Sequence, residues 1–266
     1  MIRLVVCDVD GTLVKDGGSA SALNPEYYEV VRKLSEKGIQ VVICSGRQKA
    51  SIEKLFEPVK DLLHIISEGG SLIFQKEECI YSQILQKEVC RQIIDDARKI
   101  EPCDILVCGK KHAYATSEDS EMYRWISDSY GFDIQAVGDL QKNISDDIVK
   151  ISLYHHNMVE QLTKDWFRPK WENNLAGIQW LDCVPKEAGK GTAVAFLQGH
   201  LQITPEETCV FGDNENDIVM MQRAKYSFAV ANAREEVKRA ASRECGPYWE
   251  DGVLTQLKKI VSQQEK

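Results

Sequence analysis

Ile2-Arg3-Leu4-Val5-Val6-Cys7-Asp8-Val9-Asp10-Gly11-Thr12 opens the chain with an apolar run that ends in two acids. Ile2 to Cys7 is short and apolar enough for a strand buried on both faces, the pattern of a parallel sheet. The two acids are two residues apart, and an extended chain points such side chains the same way. Ligands of open α/β sheets bind beyond the carboxyl ends of strands, so the pair stands where a site is expected. Converging carboxylates can hold a hard cation, or divide nucleophilic from acid–base work. Gly11 lets the chain turn away, and Thr12 offers a hydroxyl. Read blandly, the same five residues are a polar turn.

Working outward, strand and helix alternate. Asn24-Pro25-Glu26 starts a helix that runs to about Lys37, with Gly38 ending it. Gln40 to Cys44 is a second buried strand, Ser45-Gly46-Arg47 opens a second helix, and Leu63 to Ser67 is a third strand. Leu72 to Phe74 and Cys79 to Tyr81 flank a polar turn and read as a hairpin. The alternation returns with a helix from Gly189 to Leu201, a capping box at Thr204 to Glu207, and a strand from Thr208 to Phe211. A helix from Asn214 to Arg223, a strand from Tyr226 to Val230, and helices near Arg234 to Ala241 and Gly252 to Val261 complete it. This order predicts an α/β fold: a Rossmann-like three-layer core with a central parallel sheet.

The middle differs in texture. Helices at Lys87 to Ile100, Ser117 to Ser129 and Val159 to Trp171 mix with strands at Asp104 to Cys108, Val149 to Tyr154 and Ile178 to Val184. Four of the five tryptophans, Trp125, Trp166, Trp171 and Trp180, lie here. Residues 82–184 therefore read as an inserted α+β domain, with 1–81 and 185–266 forming the core. Tyr114, Tyr123 and Trp125 could line a substrate pocket, but core packing is the role expected for most such aromatics.

Composition narrows the function. The 266 residues are 43% hydrophobic and 28% charged, as in globular proteins, so disorder is expected only from Ser262 to Lys266. The formal charge of −8 argues against nucleic-acid binding, which relies on neutralising phosphates. An anionic ligand must then be held by local charge: a metal, a few cations or helix N-termini. No apolar run approaches the ~20 residues that span a bilayer, and the N-terminus has no signal-peptide pattern. The nine cysteines lack CxxC spacing and read as reduced thiols packed like small hydrophobes. A cytoplasmic location is expected. The five histidines show no ligand spacing.

Three further motifs carry chemistry. Gly212-Asp213-Asn214-Glu215-Asn216-Asp217 follows a buried strand, and its acids at 213 and 217 can share one side as a helix begins. Acids there are also ordinary caps. Yet Asp8, Asp10, Asp213 and Asp217, all at strand ends, would repel one another without a cation, and Mg²⁺ resolves that conflict. Ser45-Gly46-Arg47 offers a hydroxyl and N–H groups suited to phosphate. Lys190 stands in the first turn of a helix, against the macrodipole, which suggests a nearby anion or carboxylate.

Asp8-x-Asp10-Gly11-Thr12, Ser45-Gly46-Arg47, Lys190 and Gly212-Asp213-x-x-Asn216-Asp217 stand in the order of the four motifs of haloacid dehalogenase-like hydrolases, and the chain resembles that superfamily over nearly its whole length. Val230-Ala231-Asn232-Ala233 and Glu250-Asp251-Gly252-Val253 are similar to the Cof-type phosphatases within it. The resemblance implies an α/β cap of type C2B inserted between the second and third motifs. It also implies a Mg²⁺-dependent phosphatase of small phosphorylated metabolites, sugar phosphates by default. By that resemblance Asp8 is the nucleophile that becomes phospho-aspartate, and Asp10 is the general acid and base. Mg²⁺ would be held by Asp8, the Asp10 main-chain carbonyl and Asp213, with Asp217 orienting the metal shell or Lys190. Ser45, Gly46 and Lys190 would neutralise the phosphoryl oxygens, with Arg47 and Asn216 on the phosphate or substrate side. One departure is Gly69, where the family often has Asn, so any substrate contact normally made there is not expected.

Two rivals are a phosphomannomutase-like phosphosugar mutase and a non-catalytic phospho-ligand binding protein. The mutase would need cap cations such as Arg91, Arg98, Arg124 and Arg168 to converge. The binding protein is disfavoured by the presence of all four acids and Lys190.

Overall fold

A computed structural model describes residues 1–19, 22–176 and 178–263. In chain order come β1 (Leu4–Cys7), α1 (Glu26–Glu36), β2 (Gln40–Cys44), α2 (Lys49–Leu55), β3 (Leu63–Ser67), β4 (Leu72–Gln75) and β5 (Glu78–Ser82). There follow α3 (Lys87–Ala97), β6 (Asp104–Gly109), β7 (Ala113–Ala115), α4 (Glu121–Trp125), β8 (Ile134–Ala136), β9 (Ile148–Tyr154), α5 (Val159–Thr163), β10 (Asn173–Leu175) and β11 (Trp180–Cys183). The chain ends with α6 (Lys190–Leu201), β12 (Thr208–Gly212), α7 (Glu215–Met221), β13 (Tyr226–Val230), α8 (Glu235–Ala240), β14 (Arg243–Cys245) and α9 (Gly252–Gln263).

Among the described residues, eight strands form one sheet in the order β14-β13-β12-β1-β2-β3-β4-β5. From β14 to β3 every neighbour is parallel, and β4 and β5 add an antiparallel hairpin. The central parallel strands are largely apolar because helices cover both faces, and β1 and β12 are buried at every position, whereas the edge strand β14 exposes Arg243 and Glu244. β1 begins at Leu4 because Arg3 leaves the core to pair with Glu207 at 3.2 Å. From β1 the chain moves one way to β2 and returns much later to place β12 on the other side. The carboxyl end of β1 is therefore a topological switch point, where a crevice opens.

The second sheet runs β10-β11-β9-β6-β7-β8, antiparallel except between β7 and β8. Its pleat sorts residues by period two. Ile151, Leu153, Leu181 and Cys183 turn to one face and pack with Ile93 and Ile94 of α3. Leu106, Lys150, Ser152, Trp180 and Asp182 turn to the other, toward the strand ends of the first sheet.

Several expectations are corrected. Ser45-Gly46-Arg47 is not the helix start: it forms a turn, and α2 begins only at Lys49 after Gln48. The helix expected from Val159 to Trp171 stops at Thr163, where Thr163 Oγ1 donates to Val159 O at 2.6 Å and Pro169 lies ahead without an N–H. The helix expected from Ser117 starts at Glu121, with Ser120 as its cap, and continues as a wider turn from Ile126 to Tyr130 that Gly131 closes at φ +65. Helix α3 ends at Ala97 and β11 spans only Trp180–Cys183. The three-residue strands β7, β8, β10 and β14 were too short to leave a period-two pattern. At the C-terminus α9 carries through Gln263, past the expected fraying at Ser262, and residues 264–266 lie outside the described ones. All nine thiols are free, and seven are buried.

Candidate active site

The site grows from the end of β1. Asp8 prolongs the ladder, donating its N–H to Phe211 O at 3.0 Å, and the residue is 5% exposed. Gly11 then takes φ +78, a conformation that suits glycine, and passes so close to β12 that a Cβ there would lie 2.3 Å from Asp213 Oδ2. Thr12 Oγ1 donates to Asp213 Oδ1 at 3.0 Å, and Asn232 Nδ2 donates to Gly11 O at 2.7 Å. Through that second bond, Val230-Ala231-Asn232-Ala233 ties the turn after β13 to the turn after β1.

Asp217, in the first turn of α7, accepts from the N–H groups of Asp213 at 2.9 Å and Asn214 at 3.0 Å through Oδ2. Its Oδ1 accepts from Lys190 Nζ at 2.6 Å, and the same ammonium donates to Asp8 Oδ1 at 2.6 Å. Burial alone would lower Lys190, but Asp217 and Asp8 overturn that and hold it well above its usual value. The lysine against the helix dipole is thus compensated by two carboxylates. Asp8 is pushed up to about 7, by burial first and by Asp217 second, with Lys190 opposing. Asp213 is also raised, by burial and then by Asp8. Carboxylate oxygens of Asp8, Asp213 and Asp217 lie within 4.8 Å of one another, close enough for a metal ion. One lysine cannot balance three such acids, so this donor set fits a hard divalent cation.

Asp10 is placed differently from these three. Arg47 grips it with a fork, Nε to Oδ2 at 2.8 Å and Nη2 to Oδ1 at 2.6 Å, while lying 4.6 Å from the ring of Tyr130. Tyr130 OH in turn donates to Asp16 at 2.5 Å. Ser45 Oγ accepts from Arg47 N at 3.1 Å.

Asp8, Asp10, Ser45, Gly46, Arg47, Lys190, Asp213 and Asn216 all line one cavity of about 110 Å³, partly open to solvent. Asp217 stands behind it, reaching the cavity only through Lys190. The opposite wall comes from the second sheet and the chain just after α4: Leu106, Ile126, Phe132, Lys150, Trp180 and Asp182. Sequence reasoning missed this wall. Its signal was a lysine within the apolar strand Ile148-Val149-Lys150-Ile151, and an aspartate within Trp180-Leu181-Asp182-Cys183. Tyr114, Tyr123 and Trp125 do not line the cavity; Trp125 stacks behind it on Trp180. The arginines singled out between residues 82 and 184 do not converge there either. Arg91 pairs with Glu88, Arg98 with Asp95 and Asp139, and Arg168 with Glu160 and Glu215, while Arg124 donates to Asp119 O.

Comparison with known proteins supplies the context. The model of the haloacid dehalogenase-like hydrolase family matches residues 5–257. A crystal structure of a protein from Eubacterium rectale is 39% identical, with a TM-score of 0.84 over 97% of this chain and 99% of that one. Two curated 5-amino-6-(5-phospho-D-ribitylamino)uracil phosphatases are similar as well. YbjI of Escherichia coli is 23% identical and YcsE of Bacillus subtilis 25%, each match covering 98% of this chain and 96% of the relative.

Proposed function

The chain belongs to the haloacid dehalogenase-like hydrolases and is a phosphatase, and on that premise we propose that it hydrolyses small phosphorylated metabolites through a phospho-aspartate on Asp8, with Mg²⁺ as its metal. The observation that carries this reading is the buried Asp8–Lys190–Asp217 bridge with Asp213 beside it. Lys190 occupies one oxygen of Asp8 and leaves Oδ2 to attack phosphorus in line. As the P–O bond to the leaving alcohol breaks, Asp10 gives that oxygen a proton; Asp10 then takes one from the water that hydrolyses the acyl phosphate. To do so, the Asp10 carboxyl has to turn out of the Arg47 fork. Ser45, Lys190 and the Gly46 N–H receive the phosphoryl oxygens, and Asn216 stands on the substrate side. Asp8, Asp213 and the Asp10 carbonyl would hold Mg²⁺, since both oxygens of Asp217 are already engaged. When bound, the ion neutralises these carboxylates and the phosphoryl charge.

In this reading residues 82–184 are a cap that chooses the leaving group, and 1–81 with 185–266 are the catalytic core. Sugar and sugar-alcohol phosphates are the first substrates to test, since the names of YbjI and YcsE carry a phosphorylated ribityl chain. Hydrolysis is favoured over the mutase reading because, among the described residues, Arg91, Arg98, Arg124 and Arg168 pair elsewhere and do not gather into a second phosphate site. The test is phosphate release from p-nitrophenyl phosphate and a panel of metabolite phosphates, with Mg²⁺ and with EDTA. Release is expected only with Mg²⁺, and Asp8→Asn should abolish it while keeping the fold. Turnover by the Asp8→Asn variant would remove Asp8 as nucleophile.

A further inference from the structure

A charge buried inside an apolar strand has to be explained by its partners. Lys150 of β9 is 3% exposed. Its Nζ donates to Gly46 O at 2.6 Å and lies 3.0 Å from Glu68 Oε2 and 3.5 Å from Asp182 Oδ2. Asp182 is held in turn by Ser152 Oγ at 2.6 Å. Burial would lower Lys150, but Asp182 and Glu68 raise it well above its usual value, so the cation persists.

Gly46 is the most pliable residue of the turn after β2. Both of its peptide planes are pinned from outside that turn. Ser45 O accepts from Gly69 N at 3.1 Å, which fixes the plane carrying the Gly46 N–H. Gly46 O accepts from Lys150, which fixes the plane carrying the Arg47 N–H, and that N–H donates to Ser45 Oγ. Arg47 O accepts from Glu68 N at 3.1 Å, with Glu68 in the left-handed region at φ +51. All three carbonyls are drawn away, while the Gly46 N–H has no acceptor among the described residues.

We propose that Lys150 is a positioning residue for phosphate: reaching over from the second sheet, its ammonium pins the Gly46–Arg47 peptide and so holds the Ser45 hydroxyl and the Gly46 N–H where a phosphoryl group is received. The inference rests on the phosphatase reading of the cavity. The phosphate turn is then fully set only when the second sheet is seated on it. Because the action is on phosphate, loss of Lys150 weakens every substrate by the same factor, along with inorganic phosphate. A lysine that merely chose the leaving group would alter the ranking of substrates instead.

The test compares Lys150→Met/Glu68→Gln with Glu68→Gln alone. The double variant keeps the cluster's net charge, since one cation and one of two acids are removed together. Binding of inorganic phosphate is measured by calorimetry in Mg²⁺ buffer, with KM and kcat for p-nitrophenyl phosphate and two metabolite phosphates, and thermal unfolding to confirm the fold. Phosphate affinity is expected to fall about tenfold or more, the scale of a lost charge-assisted hydrogen bond, with KM rising equally for every substrate. Unchanged phosphate affinity, with or without a changed substrate ranking, overturns the inference. If the double variant does not fold, Lys150→Arg gives the same comparison: its planar head pairs with the two acids in place of Gly46 O. Phosphate affinity falls there too, and a wild-type value overturns the role. A wild-type protein that neither binds phosphate nor releases it would refute the phosphatase reading itself, a separate outcome.

Discussion

Removing the Lys190 ammonium tests the charge balance on which the site is built. Lys190 is 2% exposed and sits 2.6 Å from both Asp8 and Asp217. Lys190→Met preserves length and apolar stem while leaving buried carboxylates without their cation. Breaking a buried pair from one side costs about 3–5 kcal/mol. At about 2–4 °C per kcal/mol for a chain of this size, Tm in EDTA at pH 7.5 should fall roughly 6–20 °C. The pH dependence follows from the direction of Asp8, whose carboxyl is raised to about 7. A raised acid keeps its proton to higher pH folded than unfolded, so its contribution is fully present below the ordinary carboxylate range and is lost as pH rises through about 7. Lys190 opposes that rise, and without it Asp8 goes higher still. The Tm gap between variant and wild type should therefore narrow from pH 8 to pH 5.5, because a proton replaces the missing cation. Calorimetric unfolding across that range, in EDTA, reads both effects. A loss below about 2 °C at pH 7.5, or a gap that widens toward pH 5.5, would refute the reasoning.

Two other outcomes follow from the same geometry. Gly11→Ala places an L residue at φ +78, costing about 1–2 kcal/mol, and sets its Cβ 2.3 Å from Asp213 Oδ2. Calorimetry should find a lower Tm and weaker Mg²⁺ binding, and wild-type Mg²⁺ affinity would show that Asp213 holds no metal. Because burial raises both Asp8 and Asp213 and a metal needs them ionised, Mg²⁺ affinity titrated from pH 6 to pH 8 should increase; a flat profile would exclude them as ligands.

Much of this was legible in residue order, and for a physical reason. A buried parallel strand must be apolar on both faces, so Leu4–Cys7, Gln40–Cys44, Leu63–Ser67, Thr208–Gly212 and Tyr226–Val230 announce themselves as runs. The polar residues just beyond them fall at the sheet's carboxyl edge. Asp8, Asp10, Ser45 and Asp213 could therefore be named one by one, and Lys190 by its place in the first turn of α6, against the macrodipole. Their partnerships were less visible. Arg47 read as a group for the substrate side, whereas the structure turns its guanidinium onto Asp10.

The order of residues by itself determined the βα alternation, the placement of acids beyond strands and the break in texture from 82 to 184, because these are set by local periodicity. Tertiary structure alone decided which residues of the second sheet meet the first. Lys150 lies 104 positions from Gly46 and touches it, and Asp182 reaches the same ammonium from another strand. No local pattern encodes such contacts. They arise from the pleat of β9 and β11 and from how one sheet seats on the other, and a buried charge tolerates only the arrangement that satisfies it.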